Sequence, residues 1–162
     1  MPQGIIKPTN KILIAGEPIY QEMEVKTVAG MAAGRLVIND TGGDDYHVKV
    51  APAASKLVIG VLDIMADEKL TDMQEDSAGG APSQVYSGGT QVRIIRGRVR
   101  VKLYALSGET IAVGTRLESA ANGMVAALDA ARSGDTIVAY SLENVTNAIS
   151  GECGWVASEL LV

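Results

Sequence analysis

The chain has 162 residues, of which 47% are hydrophobic, and a formal net charge of −5. This length and apolar content suffice for one domain with a sizeable core, and the acidic balance argues against general nucleic-acid binding. A single cysteine excludes an intrachain disulfide, and 18 glycines with no phenylalanine predict many turns around an aliphatic core. No apolar run approaches the ~20 residues of a membrane-spanning helix, and the N-terminus lacks the pattern of a secretion signal.

Residues 1–15 are interpreted as an extended N-terminal arm. Its apolar residues come in two short groups, separated by Pro8: Ile5 and Ile6, then Ile12, Leu13 and Ile14. A frayed terminus or an edge strand of a barrel is the alternative.

The first half of the remaining chain predicts a series of short strands and one long insertion. Alternating or densely aliphatic residues predict strands at 21–26, 36–38, 46–50 and 57–64. Residues 66–89 begin acidic and become rich in glycine, which predicts a surface insertion. Within it, 67–74 has the composition of one or two helical turns.

The second half repeats the pattern of short strands. Strands are predicted at 91–104, 115–118, 124–128, 136–142 and 154–161, and 129–132 is a candidate helical turn. About nine to eleven strands at such spacing indicate an all-β fold, either a β-barrel or a sandwich. The expected organisation is an arm at 1–15 and a single β-barrel domain at 16–162, with the insertion at 66–89.

The two halves also resemble each other in sequence. The segment Met31-Ala32-Ala33-Gly34-Arg35-Leu36 corresponds to Ile111-Ala112-Val113-Gly114-Thr115-Arg116-Leu117, about 80 residues later. The segments that begin at Val48 and Val125 also correspond, as do those that begin at Leu57 and Ile137. A repeated strand-and-turn unit predicts a scaffold that presents surfaces.

One predicted strand carries an alternating row of positive charges. If 91–104 is continuous, its charged residues share one face: Arg96, Arg98, Arg100 and Lys102. Aligning Val25 with Val101 places Glu22 and Glu24 at the positions of Arg98 and Arg100, so the halves would carry opposite charge. This pattern predicts an electrostatic interface within or between subunits. A solvated sheet face and a nucleic-acid groove, which would lack aromatic stacking partners, are the alternatives.

No pattern of catalytic, cofactor-binding or metal-binding residues is present. The only histidine, His47, lies in an alternating strand, and Cys153 lies among glycines, so both are interpreted as structural. The acidic residues 67–76 lack calcium-loop spacing, which leaves weak calcium binding as a minor alternative. The glycine-rich residues 87–90 lack the lysine of a phosphate-binding loop. We therefore predict a protein that is not an enzyme and needs no cofactor.

These short apolar motifs resemble the small capsid decoration, or cement, proteins of tailed bacteriophages. The residues that carry the resemblance are 33–36 with 58–62 in the first half, and 113–117 with 137–142 in the second. The resemblance implies a β-barrel or β-tulip protein, often a homotrimer, without catalytic residues. It also implies binding to the outer capsid surface, where the protein bridges and stabilises major capsid protein subunits.

The partners and location follow from the same resemblance. The expected partners are the major capsid protein and further copies of this chain, with no nucleic acid and no membrane, and the expected location is the capsid surface after synthesis in the host cytoplasm. The predicted capsid or subunit interface comprises Ile5, Ile6, Pro8, Ile12, Leu13, Ile14, Glu22, Glu24, Arg96, Arg98, Arg100 and Lys102. A small ligand-binding or carrier module with a β-clip or SAF-like barrel is the alternative, and an enzyme of unrecognised type comes third.

Overall fold

The computed structural model describes residues 11–40, 46–65, 85–129, 136–146 and 154–162. In these residues the regular structure is β-strand apart from one 3₁₀ turn at Ala121–Gly123, so the all-β prediction is confirmed. The strands are β1 Leu13–Ala15, β2 Ile19–Val25, β3 Leu36–Asn39, β4 His47–Val50, β5 Gly60–Leu62, β6 Gln91–Arg96, β7 Arg100–Ala105, β8 Thr110–Ile111, β9 Arg116–Ser119, β10 Val125–Ala127, β11 Ala139–Ser141, β12 Val145–Thr146 and β13 Gly154–Leu160.

The strands form two closed five-stranded rings where the sequence led us to expect one barrel. The first ring has the order β2-β4-β3-β5-β6 and closes through antiparallel pairing of β6 with β2. The second has the order β7-β10-β9-β11-β13 and closes through pairing of β13 with β7. One pair in each ring is parallel: β2 with β4 in the first ring and β7 with β10 in the second. All other pairs within the rings are antiparallel. The rings are therefore two copies of one topology.

The register of the strand pairs is also the same in both barrels. Val25 lies opposite Val48, as Ala105 lies opposite Val125. In the same way Met23 pairs with Val92 where Leu103 pairs with Val156, and Leu36 pairs with Val61 where Arg116 pairs with Tyr140. The duplication inferred from the sequence is thus present residue by residue.

A turn at Gly97 divides the segment that the sequence predicts as one strand. Residues 91–104 form the end of the first barrel, β6, and the start of the second, β7, with residues 97–99 between them. Gly97 has a φ of +96°, a conformation that a residue with a side chain rarely adopts. Its amide donates a hydrogen bond to the carbonyl of Val162 at 2.7 Å, which fixes the turn against the last residue. The prediction of a continuous strand was therefore wrong.

The inward-facing residues of both barrels and the junction between them share one apolar core. Met23, Val37 and Ile94 fill the first barrel, Leu103 and Val156 the second, and all are at most 1% exposed. Because the apolar cluster is continuous across the two barrels, burial stabilises them together.

Several predicted segments fall partly or wholly outside the described residues. The helical turn at 67–74 lies outside them, as does nearly all of 129–132 and residues 66–84 of the insertion. The described end of the insertion packs on the first barrel. There Tyr86 is 3% exposed, and its hydroxyl donates to the carbonyl of Asp63 at 3.1 Å.

Candidate functional site

An apolar cleft lies between β1 and the outside of the first barrel. It has a volume of about 480 Å³, and its lining includes Ile14, Tyr20 and Ile64. A neighbouring cleft of about 280 Å³ shares Ile64 and adds Met65. Ile14, Tyr20 and Met65 are 45%, 46% and 38% exposed. Large apolar side chains that remain exposed around a concave surface are typical of binding sites for another macromolecule.

An arginine crosses the floor shared by the two clefts and is held on both sides. The Arg93 Nε donates to Asp63 Oδ2 at 2.8 Å, and the Arg93 guanidinium lies 4.4 Å from the centre of the Tyr20 ring. Asp63 is 6% exposed, and its other oxygen accepts the amide of Ile64 at 2.9 Å. These contacts hold Tyr20 and Arg93 in fixed orientations before any partner binds. The sequence analysis missed this site because its members lie on three strands or strand ends that only the barrel brings together.

One outward-facing row of residues, which we call face A, runs across four strands of each barrel. In the first barrel the row consists of Tyr20, Ile95, Val61 and Leu36, and the last three are fully buried. In the second barrel the equivalent row consists of Arg100, Glu159, Tyr140 and Arg116, which are exposed or half-buried. Three of the four positions are therefore apolar and buried in the first barrel, where Tyr20 is 46% exposed, and all four are polar and exposed or half-buried in the second.

A second outward-facing group, which we call face B, shows the opposite pattern of burial. In the first barrel it consists of Glu22, Glu24, Gln91 and Arg93, all of them exposed or half-buried. The equivalent residues of the second barrel are Lys102, Tyr104, Trp155 and Ala157. Lys102 and Tyr104 are 1% and 2% exposed, and burial lowers the pKa of Lys102 from its ordinary value.

Gly34 and Arg35, which directly precede Leu36 of face A in the first barrel, pack against Trp155 and Tyr104 of face B in the second. The guanidinium of Arg35, the neighbour of Leu36, lies 4.8 Å from the centre of the Tyr104 ring. Tyr104 in turn meets Trp155 edge to face, with ring centres 4.5 Å apart. Gly34 lies directly against the Trp155 ring. These contacts form the junction between the barrels.

The structure does not place the four predicted positive charges on one strand face. Arg96 belongs to β6, where it donates to Gln21 Oε1 at 2.9 Å, and Arg98 lies in the turn, where it donates to Glu159 Oε1 at 2.7 Å. Arg100 is exposed at the start of β7, whereas Lys102 is buried at the junction. The prediction of one exposed charged face was wrong, because the chain leaves one barrel and enters the next within this segment.

The sequence alignment of the acidic strand was displaced by four residues. The structure makes Glu22 equivalent to Lys102 and Glu24 equivalent to Tyr104, not to Arg98 and Arg100. Within the chain, Glu24 accepts a hydrogen bond from Gln91 at 3.2 Å and lies 3.7 Å from His47 Nε2. A shift of four residues preserves the inward and outward alternation of a strand, so the alternating pattern could not reveal it.

The described residues of the predicted arm are part of the fold. Leu13 and Ala15 pair with Val101 and Arg100 of β7, although the register is irregular. Ile12 is fully buried, Leu13 is half-buried, and only Ile14 is well exposed. The edge-strand alternative therefore describes residues 12–15. Ile5, Ile6 and Pro8 lie outside the described residues.

The remaining candidate groups contribute no reactive cluster to the described part of the chain. His47 is half-buried in β4, as its alternating sequence indicates, and Cys153 lies outside the described residues. Among the residues described, no three His, Cys, Asp or Glu side chains are grouped so that they could hold a metal ion. Nor does any described helix have the length and hydrophobicity needed to cross a bilayer.

Comparison with known proteins finds similarity in three-dimensional structure. No protein-family model matches the sequence, and no match is found among curated proteins. The fold is similar to that of the head fiber gp8.5 N base in bacteriophage phi29, with a TM-score of 0.54 and 15% sequence identity. The similarity covers 89% of this chain and 94% of that chain, so both barrels are included. At this level of identity the similarity establishes a shared fold.

Proposed function

We propose that this chain is a structural protein of a bacteriophage virion. It binds the outer surface of the assembled capsid as a homotrimer, bridges major capsid protein subunits and so stabilises the shell, without catalytic activity. The observation that carries the proposal is the fold shared with a phage head fiber base over almost the full length of both chains. The resemblance of the repeated strand-and-turn motifs to capsid decoration proteins supports the same role.

We assign the contact with the capsid to the apolar cleft beside β1. Ile14 lines it with 45% of its surface exposed, and Met65 lines the neighbouring cleft with 38% exposed. The Arg93–Asp63 pair holds Tyr20 in place. Burying a fully exposed large apolar side chain contributes roughly 1.5–3 kcal/mol, so covering the exposed two-fifths of Ile14 and of Met65 contributes about 0.6–1.2 kcal/mol each. A cleft that is already shaped loses little conformational entropy when its partner binds.

The test adds the purified protein to capsids of the same virus that were assembled without it. We expect the protein to sediment with the capsids and to appear as additional density on their outer surface in electron micrographs. Decorated capsids should release their genome at a higher temperature than undecorated ones. Absence of binding at saturating protein concentration would contradict the proposal. Retention of a sugar or sugar acid by the free protein would then favour the alternative of a ligand-binding module.

A pair of variants tests whether the cleft makes the contact. Ile14→Asp combined with Met65→Asp should weaken capsid binding by about 10- to 100-fold, since two apolar contacts are lost. Leu57→Asp combined with Val113→Asp is the matched control, because both residues are exposed apolar residues, at 68% and 60%, outside the cleft. Equal losses in the two double variants would assign the capsid contact to another surface.

A further inference from the structure

The two barrels are joined head to tail, and each leaves one face accessible. Beside Leu36 of face A in the first barrel, Gly34 and Arg35 pack on Trp155 and Tyr104 of face B in the second. Since both barrels have the same strand order and register, the second barrel presents its own face A at the far end of the molecule. The first barrel likewise presents its face B. The molecule therefore has an accessible face A on the second barrel and an accessible face B on the first, which are equivalent to the two faces at the internal junction.

The two open faces carry opposite charge. On face A of the second barrel, Glu159 is bonded to Arg98 at 2.7 Å. Arg100 and Arg116 remain exposed there, with no ion-pair partner among the described residues. On face B of the first barrel, Arg93 is bonded to the carboxylate of Asp63. Its other charged residues, Glu22 and Glu24, are both acidic.

We propose that the open face A of one copy docks on the open face B of the next copy of this chain. Arg100 and Arg116 of one copy would then meet Glu22 and Glu24 of its neighbour. The contact repeats between copies the arrangement that joins the two barrels within each copy, with charge complementarity where the internal contact uses apolar packing. Such a contact is heterologous, so copies close into a ring or continue as a filament, and a homotrimer is the ring of three.

The chemistry of the two faces favours an interface over a surface that is only solvated. Tyr140 lies between Glu159 and Arg116 in the open face A. Tyr20, the exposed residue of face A in the first barrel, is stacked on Arg93 of the open face B. Tyrosine and arginine are enriched in interfaces between proteins, and the planar guanidinium binds carboxylates with two donors. A terminal face that only had to be soluble would need polar residues. It would not need a face of opposite charge at the other end of the molecule.

The proposal deepens the self-association that the proposed function includes, and it is tested on the free protein, without capsids. Sedimentation equilibrium is measured at ionic strengths of about 10 mM and about 1 M, where charges act over roughly 30 Å and 3 Å. We expect association at low salt that weakens as salt is added. The double variants Glu22→Lys/Glu24→Lys and Arg100→Glu/Arg116→Glu should each weaken association at least about 100-fold, because like charges then face each other.

Mixing the two double variants gives the most specific result. In the lysine variant both open faces are positively charged, and in the glutamate variant both are negatively charged. In the mixture, a positive face of one variant can bind a negative face of the other, so association should return. Alternation of the two variants excludes a ring of three, so if the wild type is a homotrimer the mixture should form heterodimers through one restored contact. Lys11→Glu/Lys56→Glu is the matched control for the change in net charge of the arginine variant, since both lysines are exposed and lie outside faces A and B. Circular dichroism melts establish that every variant is folded.

The proposal is overturned by a wild-type protein that remains monomeric at its highest soluble concentration in low salt. It is also overturned by association that survives both charge reversals, or by a mixture that fails to associate. Capsid binding is measured separately with Ile14→Asp alone, because Met65 lines the same cleft as Glu22, Gln91 and Arg93 of face B. Loss of one activity without the other therefore shows which of the two proposals has failed.

Discussion

Gly34 and Gly114 occupy equivalent positions in the two barrels but have different surroundings. Their amides donate to the carbonyls of Leu62 and Ser141, which are equivalent residues of β5 and β11. Their φ angles are +80° and +79°, so an alanine would be strained to the same degree at either site. A Cβ on Gly34 would lie 2.8 Å from Cη2 of Trp155 and closer still to Cζ3, whereas a Cβ on Gly114 would have no atom within 4 Å.

The difference between the two alanine variants therefore measures packing at the junction of the barrels. The backbone strain should cost about 1–2 kcal/mol at each position. At Gly34 the added methyl group also displaces the Trp155 ring, which is held edge to face by Tyr104. Overpacking of this kind costs about 1–3 kcal/mol. We expect Gly34→Ala to reduce the free energy of unfolding by about 2–5 kcal/mol and Gly114→Ala by about 1–2 kcal/mol.

Unfolding in urea, followed by tryptophan fluorescence, measures this difference at the site itself, because Trp155 is the only tryptophan. With a denaturant slope of about 2 kcal/mol per molar, the midpoint of Gly34→Ala should lie about 0.5–1.5 M below that of Gly114→Ala. Equal midpoints would refute the reasoning, since they would show that Trp155 moves aside without cost and that the junction is loosely packed. A changed emission maximum in folded Gly34→Ala would show the displacement of the ring directly.

The remaining predictions concern a buried lysine, two ion pairs and the first strand. Burial lowers the pKa of Lys102, so the unfolded chain binds this proton more tightly, and stability should rise with pH up to the ordinary value of 10.5. Relative to Lys102→Met, the wild type should gain at most about 1.4 kcal/mol per pH unit over that range, and parallel pH profiles would contradict this. Arg93→Met should cost about 1–2 kcal/mol because the carboxylate it leaves behind is buried, while Arg98→Met, whose pair is exposed, should cost less than about 0.5 kcal/mol in the same chemical denaturation. Ile12→Ala should cost about 2–4 kcal/mol and Ile14→Ala less than about 1 kcal/mol, since the first side chain is fully buried and the second is 45% exposed. Equal melting temperatures for these two alanine variants would mean that residues 12–15 do not belong to the core.

The duplication was accessible from the sequence because it depends on turns and apolar positions. Gly34 and Gly114 can be aligned by eye, as can Val48 and Val125, and the structure gives both pairs equivalent places. Glycine at a left-handed turn and valine in a barrel interior are constrained by local geometry, so they persist in both copies. Surface charges have no such constraint, and for this reason the sequence alignment of Glu22 and Glu24 was displaced.

The candidate sites depended on which strands lie side by side. The pairing of Arg93 with Asp63 joins residues that are 30 positions apart, and the row Arg100, Glu159, Tyr140 and Arg116 crosses four strands. No local pattern brings such residues together. The burial of Lys102 was equally hidden, because a lysine in an alternating strand is ordinarily exposed.

The amino-acid sequence by itself determined an all-β chain, rich in turns, with an aliphatic core and an internal repeat. Those properties follow from composition and from the period of two along each strand, both of which act over a few residues. Only the tertiary structure decided that there are two barrels and that Gly34 and Arg35 of the first pack against Trp155 and Tyr104 of the second. Closing a ring of strands and docking it on another are non-local events, and their outcome depends on shapes that residues distant in sequence form together. This arrangement also leaves face A of the second barrel and face B of the first accessible, so that their opposite charges can contact another copy.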